Sequence, residues 1–113
     1  MKIIQLTTPD AIRNKFLEVD VDPRAVEMML EKFQFLVIEL PEVRNVEANI
    51  IKQEMLVLGA EAALSRHSIS CSVPTTTVLL AGTKKIFRRL IERIRPQVGN
   101  LSKIADELEK LLF

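Results

Sequence analysis

Two short runs of branched and aromatic residues constrain the fold most. The first is Phe33-Gln34-Phe35-Leu36-Val37-Ile38-Glu39-Leu40, bounded by Lys32 and Pro41. The second is Thr76-Thr77-Val78-Leu79-Leu80-Ala81, set between Pro74 and Gly82. Both are too short for a typical helix and rich in strand-forming residues, so both read as β-strands. The unbroken Leu36-Val37-Ile38 predicts an interior strand covered on both faces. Helical sequence separates the two runs, so the chain must fold as a sheet backed by helices.

The remaining segments fill in that frame. Residues 2–6 read as a short first strand. Thr8-Pro9-Asp10 opens a helix, with Thr8 as cap, Pro9 in the first turn and Asp10 at the positive end. Its apolar stripe is Ile12, Phe16 and Leu17. Asp20 and Asp22 break it, and Asp22-Pro23 starts a second helix with Val26, Met29 and Leu30 on one face. Residues 45–65 read as the longest helix, capped by Asn45, with Gly59 inside it to let another element come close. Residues 68–73 alternate as a half-exposed strand. Thr83 caps a helix whose stripe is Ile86, Phe87, Leu90, Ile91 and Ile94, stopped by Pro96 and Gly99. Residues 100–113 form a last amphipathic helix. The expected architecture is one α+β domain over residues 1–113. It is a small mixed sheet of about four strands backed by helices, in the order β-α-α-β-α-β-β-α-α.

Composition excludes several classes. A chain of 113 residues suits one domain and cannot hold a (β/α)8 barrel of about 250 residues. No apolar run approaches the ~20 residues of a membrane span. The first turn, Lys2 followed by Thr7 to Asp10, is no signal peptide. The single cysteine, Cys71, makes no internal disulfide, so a reducing, cytoplasmic setting is expected. Net charge is +1, which selects no partner by itself. Its distribution is uneven: residues 1–60 hold seven basic and ten acidic groups, against nine and five in residues 61–113.

Six of those nine cations lie in the segment Lys84-Lys85-Ile86-Phe87-Arg88-Arg89-Leu90-Ile91-Glu92-Arg93-Ile94-Arg95. It is a basic amphipathic helix that follows a Gly82-Thr83 turn. Such a turn frees backbone N–H groups to hold an anion at a helix start, and the dipole otherwise disfavours Lys84 and Lys85 there. Gly82, Thr83, Lys84, Lys85, Arg88 and Arg89 are therefore the candidate anion site, for a phosphate-bearing ligand or a nucleic-acid backbone. The competing reading is a solvated basic face whose long side chains cover apolar surface. Gly82-Thr83-Lys84 falls far short of the complete nucleotide-binding loop.

The other clusters carry less. His67 and Cys71 are the only histidine and thiol, four residues apart, without a third group to orient a nucleophile. Two ligands do not make a structural zinc site, and no metal or cofactor is called for. Glu18, Asp20 and Asp22 lack the spacing of a calcium loop and read as a turn and a helix cap. The hydroxyls of Ser65, Ser68, Ser70, Ser72 and Thr75 to Thr77 read as a strand's solvent face. No catalytic constellation emerges.

Two stretches exceed generic pattern. Residues 52–66 read Lys-Gln-Glu-Met-Leu-Val-Leu-Gly-Ala-Glu-Ala-Ala-Leu-Ser-Arg, and residues 76–91 read Thr-Thr-Val-Leu-Leu-Ala-Gly-Thr-Lys-Lys-Ile-Phe-Arg-Arg-Leu-Ile. With Val21-Asp22-Pro23 they resemble the amino-terminal extension that precedes the barrel in a subset of bacterial dihydropteroate synthases. That pattern has I-L-K-Q-E-M-L-x-x-G-G-x-A-A, then T-D-x-L-L-M-G-T-x-K-Q, R-L-I-x-K-L and a Q-P-F-G-L stop. The chain matches at Lys52 to Leu56, Gly59, Ala62, Ala63, Leu79, Leu80, Gly82, Thr83, Lys85 and Arg89 to Ile91. It departs at Ala60, Thr77, Ala81 and Gln97 to Leu101.

The resemblance implies a non-catalytic accessory or interaction domain of folate and pterin biosynthesis. It carries over no catalytic residue, since the family's chemistry belongs to the barrel. A protein partner or self-association is expected, and no membrane. The alternative is a small nucleic-acid-binding module built on the helix 84–95.

Overall fold

The second of the two runs becomes the centre of the sheet. In the computed structural model, which describes residues 1–113, strand β3 (Thr75–Thr83) lies between β1 (Phe35–Arg44) and β2 (Glu61–Ala63). Both pairings are antiparallel. Five helices complete the chain: α1 (Pro9–Val19), α2 (Val26–Phe33), α3 (Asn45–Val57), α4 (Lys84–Ile94) and α5 (Leu101–Leu112). The expected α+β class holds, with three antiparallel strands in place of a mixed sheet of about four.

The pleat sorts side chains onto two faces. Ile38, Leu80 and Ala62 lie opposite one another across the three strands, and all are buried. With Val78 they meet Ala48, Ile51 and Met55 of α3, Phe87, Leu90, Ile91 and Ile94 of α4, and Leu101, Ala105 and Leu108 of α5. The next row along, Val37, Ala81 and Glu61, faces the other way, as does the row Glu39, Leu79 and Ala63. No helix covers that outer face: Phe35 and Val37 are each 65% exposed and Leu79 42%. The expectation that β1 is buried on both sides is therefore wrong. It is an edge strand, and Leu36-Val37-Ile38 is apolar on a face the domain itself leaves open.

β1 also runs past Pro41, where a strand end was expected. A bulge between Leu40 and Val43 leaves Pro41 and Glu42 outside the ladder, with Glu42 at φ 53°. An edge strand tolerates proline there because no neighbour needs its missing N–H.

The helix expected over 45–65 stops at Val57. Gly59 adopts φ 78°, its N–H donates to the Leu56 carbonyl, and Ala60 N–H donates to that of Met55. This is a Schellman termination, for which glycine is the favoured residue. Nothing lies within 4 Å of where its side chain would begin, so Gly59 serves the turn and no close approach. The residues beyond it form β2, held to α3 by Lys52, whose Nζ bonds Glu61 Oε1 at 2.9 Å and the Ala62 carbonyl at 2.7 Å.

Further expectations fail. Residues 2–6 form no strand, and Ile3 is exposed, because no sheet edge runs beside them. Residues 66–71 are turn. There the Ser70 and Ser72 hydroxyls donate to the His67 carbonyl, and such local bonds compete with a ladder. Asn45 does not cap α3. Its Nδ2 donates to the Val73 carbonyl, while Asn49 Nδ2 donates to that of Ser68 at 3.3 Å, so α3 latches this loop at two points.

The expected caps at Thr8 and Thr83 form, accepting from Ala11 N at 3.1 Å and Ile86 N at 3.3 Å. Ile12 and Phe16 of α1 are buried against Leu30 of α2, but Leu17 points to solvent. Phe33 meets Phe16 edge-to-face at 5.0 Å. This small cluster is separate from the main core. No helix is long and apolar enough to cross a membrane.

Candidate functional site

The six residues of the candidate anion site lie together where β3 runs into α4, with different tasks. Gly82 is buried, and a Cβ there would lie 3.3 Å from Ile86 Cγ2 and 3.5 Å from Ala60 Cβ. The close approach expected at Gly59 thus belongs to Gly82. Thr83 caps the helix, and Lys84 N–H donates to the Gln34 carbonyl at 2.8 Å. These bonds occupy two of the N–H groups that an anion at this helix start would use.

The basic side chains divide in the same way. Arg88 forms a two-point ion pair with Glu31 of α2, and its guanidinium lies 4.0 Å from the ring centroid of Phe113. Lys84 Nζ sits 5.1 Å from the same ring. This hydrogen bonding, with Lys84 and Lys85 nearby, lowers the Glu31 carboxyl below its usual range and raises Arg88. Arg93 pairs with Glu54, and Arg95 with Asp106 and Glu109. Lys85 and Arg89 are exposed and make no ion pair. Half of the cations in residues 84–95 therefore bind α4 to α2, α3 and α5.

The smaller clusters resolve as local structure. Asp20 ends α1 at φ 63°, but Asp22 caps no helix: its Oδ1 accepts from Arg24 N at 2.9 Å in a turn, and α2 begins only at Val26. The Arg24 side chain completes that pairing and lowers the Asp22 carboxyl. His67 and Cys71 are both exposed within the 66–71 turn, and His67 Nε2 accepts from Arg66.

One arrangement has no counterpart in the sequence reading. Glu47 of α3 is 3% exposed. Its Oε1 accepts from Asn100 N at 3.3 Å, at the start of α5, and lies 3.7 Å from Arg44 Nη1. Its Oε2 is buried without a partner. Glu47 lines a cleft of about 280 Å³ between the β1 bulge and α5. The available signal was spacing: Glu47, Ile51 and Met55 recur every four residues, which places the carboxylate on the helix's buried stripe.

No family model matches the chain, and no solved structure matches it. Over 110 residues, 97% of its length, it is 27% identical to the bifunctional dihydropteroate synthase/dihydropteroate reductase of Helicobacter pylori. The chain spans 29% of that protein's length, in its amino-terminal part. The motif residues at 52–66 and 76–91, which carry the resemblance to such synthases, meet in space. Lys52 clamps β2, Gly59 ends α3, and Gly82 packs against Ala60.

Proposed function

We propose that this chain is an accessory domain of folate-type biosynthesis that docks, through the outer face of its sheet, on a dihydropteroate synthase barrel. One observation carries the reading: Phe35, Val37 and Leu79 stand exposed beside Glu39 and Glu61 on a sheet face that no helix covers. Apolar side chains left exposed where the fold does not use them support an interaction surface there. The H. pylori relative supports this choice of occupant, since its matching region is joined to a much longer chain named for dihydropteroate synthesis and reduction.

The nucleic-acid reading has less support. Arg88, Arg93 and Arg95 are held by acidic partners, so fewer free cations face a phosphate backbone.

The test mixes the chain with the dihydropteroate synthase barrel of the same cell and follows the mass of the complex by ultracentrifugation at low and high salt. A complex at both salts, lost in Val37→Glu, is expected. Two independent species at both salts overturn the reading. Retention of tRNA at low salt only, without a barrel complex, transfers the role to Lys84, Lys85 and Arg89.

A further inference from the structure

We propose that the open edge of β1 pairs antiparallel with β1 of a second copy of this chain, about a twofold axis at Val37. The interface runs along the edge of the sheet and does not depend on the docking role of its outer face.

The two edges of the sheet are finished differently. Lys84 N–H bonds the Gln34 carbonyl, and Leu36, Ile38 and Leu40 follow Gln34 at every second position of the register with β3. Hydrogen-bonding direction alternates along a strand, so these residues address β3, and the N–H and carbonyl groups of Phe35, Val37 and Glu39 address the open edge. On the far side of β3, Leu79 and Ala81 address β2, so Glu61 and Ala63 join the ladder and Ala62 turns outward. Side chains close that edge: Ala62 N–H donates to Glu61 Oε1 at 2.8 Å, and its carbonyl accepts from Lys52 Nζ at 2.7 Å. Along β1, Phe35, Val37 and Glu39 stay exposed. An edge left open in this way is a template for another strand.

Three features select a second copy as that strand. The open groups are centred on Val37. A twofold axis there sets Val37 opposite Val37 of the other copy and Phe35 opposite its Glu39, so every open N–H and carbonyl gains a partner. Sliding to the next register on either side brings in Pro41, which has no N–H, or the end of α2. Charge gives the same direction. Antiparallel pairing brings Lys32, before the strand, towards Glu42 of the other copy, after it. Both are exposed and neither is in an ion pair within one chain. In-register parallel pairing would instead set Glu39 and Glu42 beside their own counterparts, which is unfavourable. Finally, the bulge at Pro41 and Glu42 ends the open stretch, and β2 is already closed. Association therefore stops at a dimer with one continuous sheet instead of growing into a fibre.

The test follows the mass of the purified chain by sedimentation equilibrium from micromolar to millimolar concentration, with hydrogen exchange on the same samples. A mass rising towards twice 12.8 kDa is expected, with the Phe35, Val37 and Glu39 amides slowing as it rises. Val37→Pro removes an N–H that faces solvent in the single chain, and abolishes the dimer while the β3 amides of Val78 to Gly82 stay protected. Lys32→Glu weakens the dimer several-fold, and adding Glu42→Lys restores it. A single-chain mass at every concentration overturns the proposal. So does a dimer whose Phe35, Val37 and Glu39 amides exchange no slower, a folded Val37→Pro chain that still pairs, or a Lys32→Glu chain that pairs as well as the parent. The charge reversal decides the matter even where Val37→Pro unfolds. Val37→Pro keeps an apolar side chain on the outer face, so barrel binding without the dimer, or the dimer without barrel binding, separates the two readings.

Discussion

Arg88 holds Glu31 by two hydrogen bonds, Nε to Oε2 at 3.2 Å and Nη2 to Oε1 at 2.6 Å. The pair joins α4 of the main domain to α2 of the small amino-terminal cluster. Lys84 N–H on the Gln34 carbonyl crosses the same junction. The pair is partly exposed, so its contribution is modest, about 0.5–1 kcal/mol. Arg88→Ala should therefore lower global stability little while raising hydrogen exchange selectively in α1 and α2. Uniform loss of protection along the chain would contradict this.

The same pair sets an acid-side dependence. Pairing lowers the Glu31 carboxyl in the folded chain below its unfolded value. Its contribution is thus present above the unfolded value and is lost as pH falls through the folded one. Urea midpoints compared at about pH 6 and about pH 3 should fall less in Glu31→Gln than in the parent chain, since the variant has no carboxyl to protonate there. Identical falls would remove the pair from the acid response.

Glycine substitutions should separate by geometry. Gly99→Ala combines φ 73° with a 2.9 Å contact on Glu47 Oε1, and should cost roughly 2–3 kcal/mol. Gly59→Ala has φ 78° with open space around it, and should cost only about 1 kcal/mol. Gly82→Ala has ordinary φ but meets Ile86 Cγ2 at 3.3 Å, which a small shift relieves. Chemical denaturation should rank the losses with Gly99 first.

Phe87 is fully buried between helices and sheet. Phe87→Ala should cost about 3–5 kcal/mol, a large part of a domain's stability. Val37→Glu, on the open sheet face, should stay within about 0.5 kcal/mol of the parent while abolishing assembly with the barrel. A Val37→Glu chain that unfolds would mean that this face is covered within the domain after all.

Thr83→Ala removes the side chain that accepts from Ile86 N at the start of α4, and should cost about 1 kcal/mol. Asn45→Ala acts elsewhere: it frees the Val73 carbonyl and should loosen the loop between β2 and β3 while leaving the start of α3 intact. Exchange rates of the 66–72 amides against those of 46–49 separate the two effects.

The sequence by itself determined whatever depends on near neighbours. The caps at Thr8 and Thr83, the stripe Phe87-Leu90-Ile91-Ile94 and the two long strands are set by side chains three or four residues apart or by β-branching. Tertiary structure decided what depends on distant partners. Gly59 within an apolar run reads equally as helix interior or helix end, and the third strand is possible only because β3 has a free edge for Glu61–Ala63. The serines at 68–72 alternate like a strand, but no strand lies beside them, and Ser70 and Ser72 bond to the His67 carbonyl instead. The candidate site divides along the same line. The cations of residues 84–95 are plain in the sequence, but their pairing with Glu31, Glu54, Asp106 and Glu109 is not. Burial of Glu47 is set by the meeting of α3, the β1 bulge and Gly99. Local preference is encoded residue by residue, whereas the charge and exposure of a site depend on which segments the fold brings together.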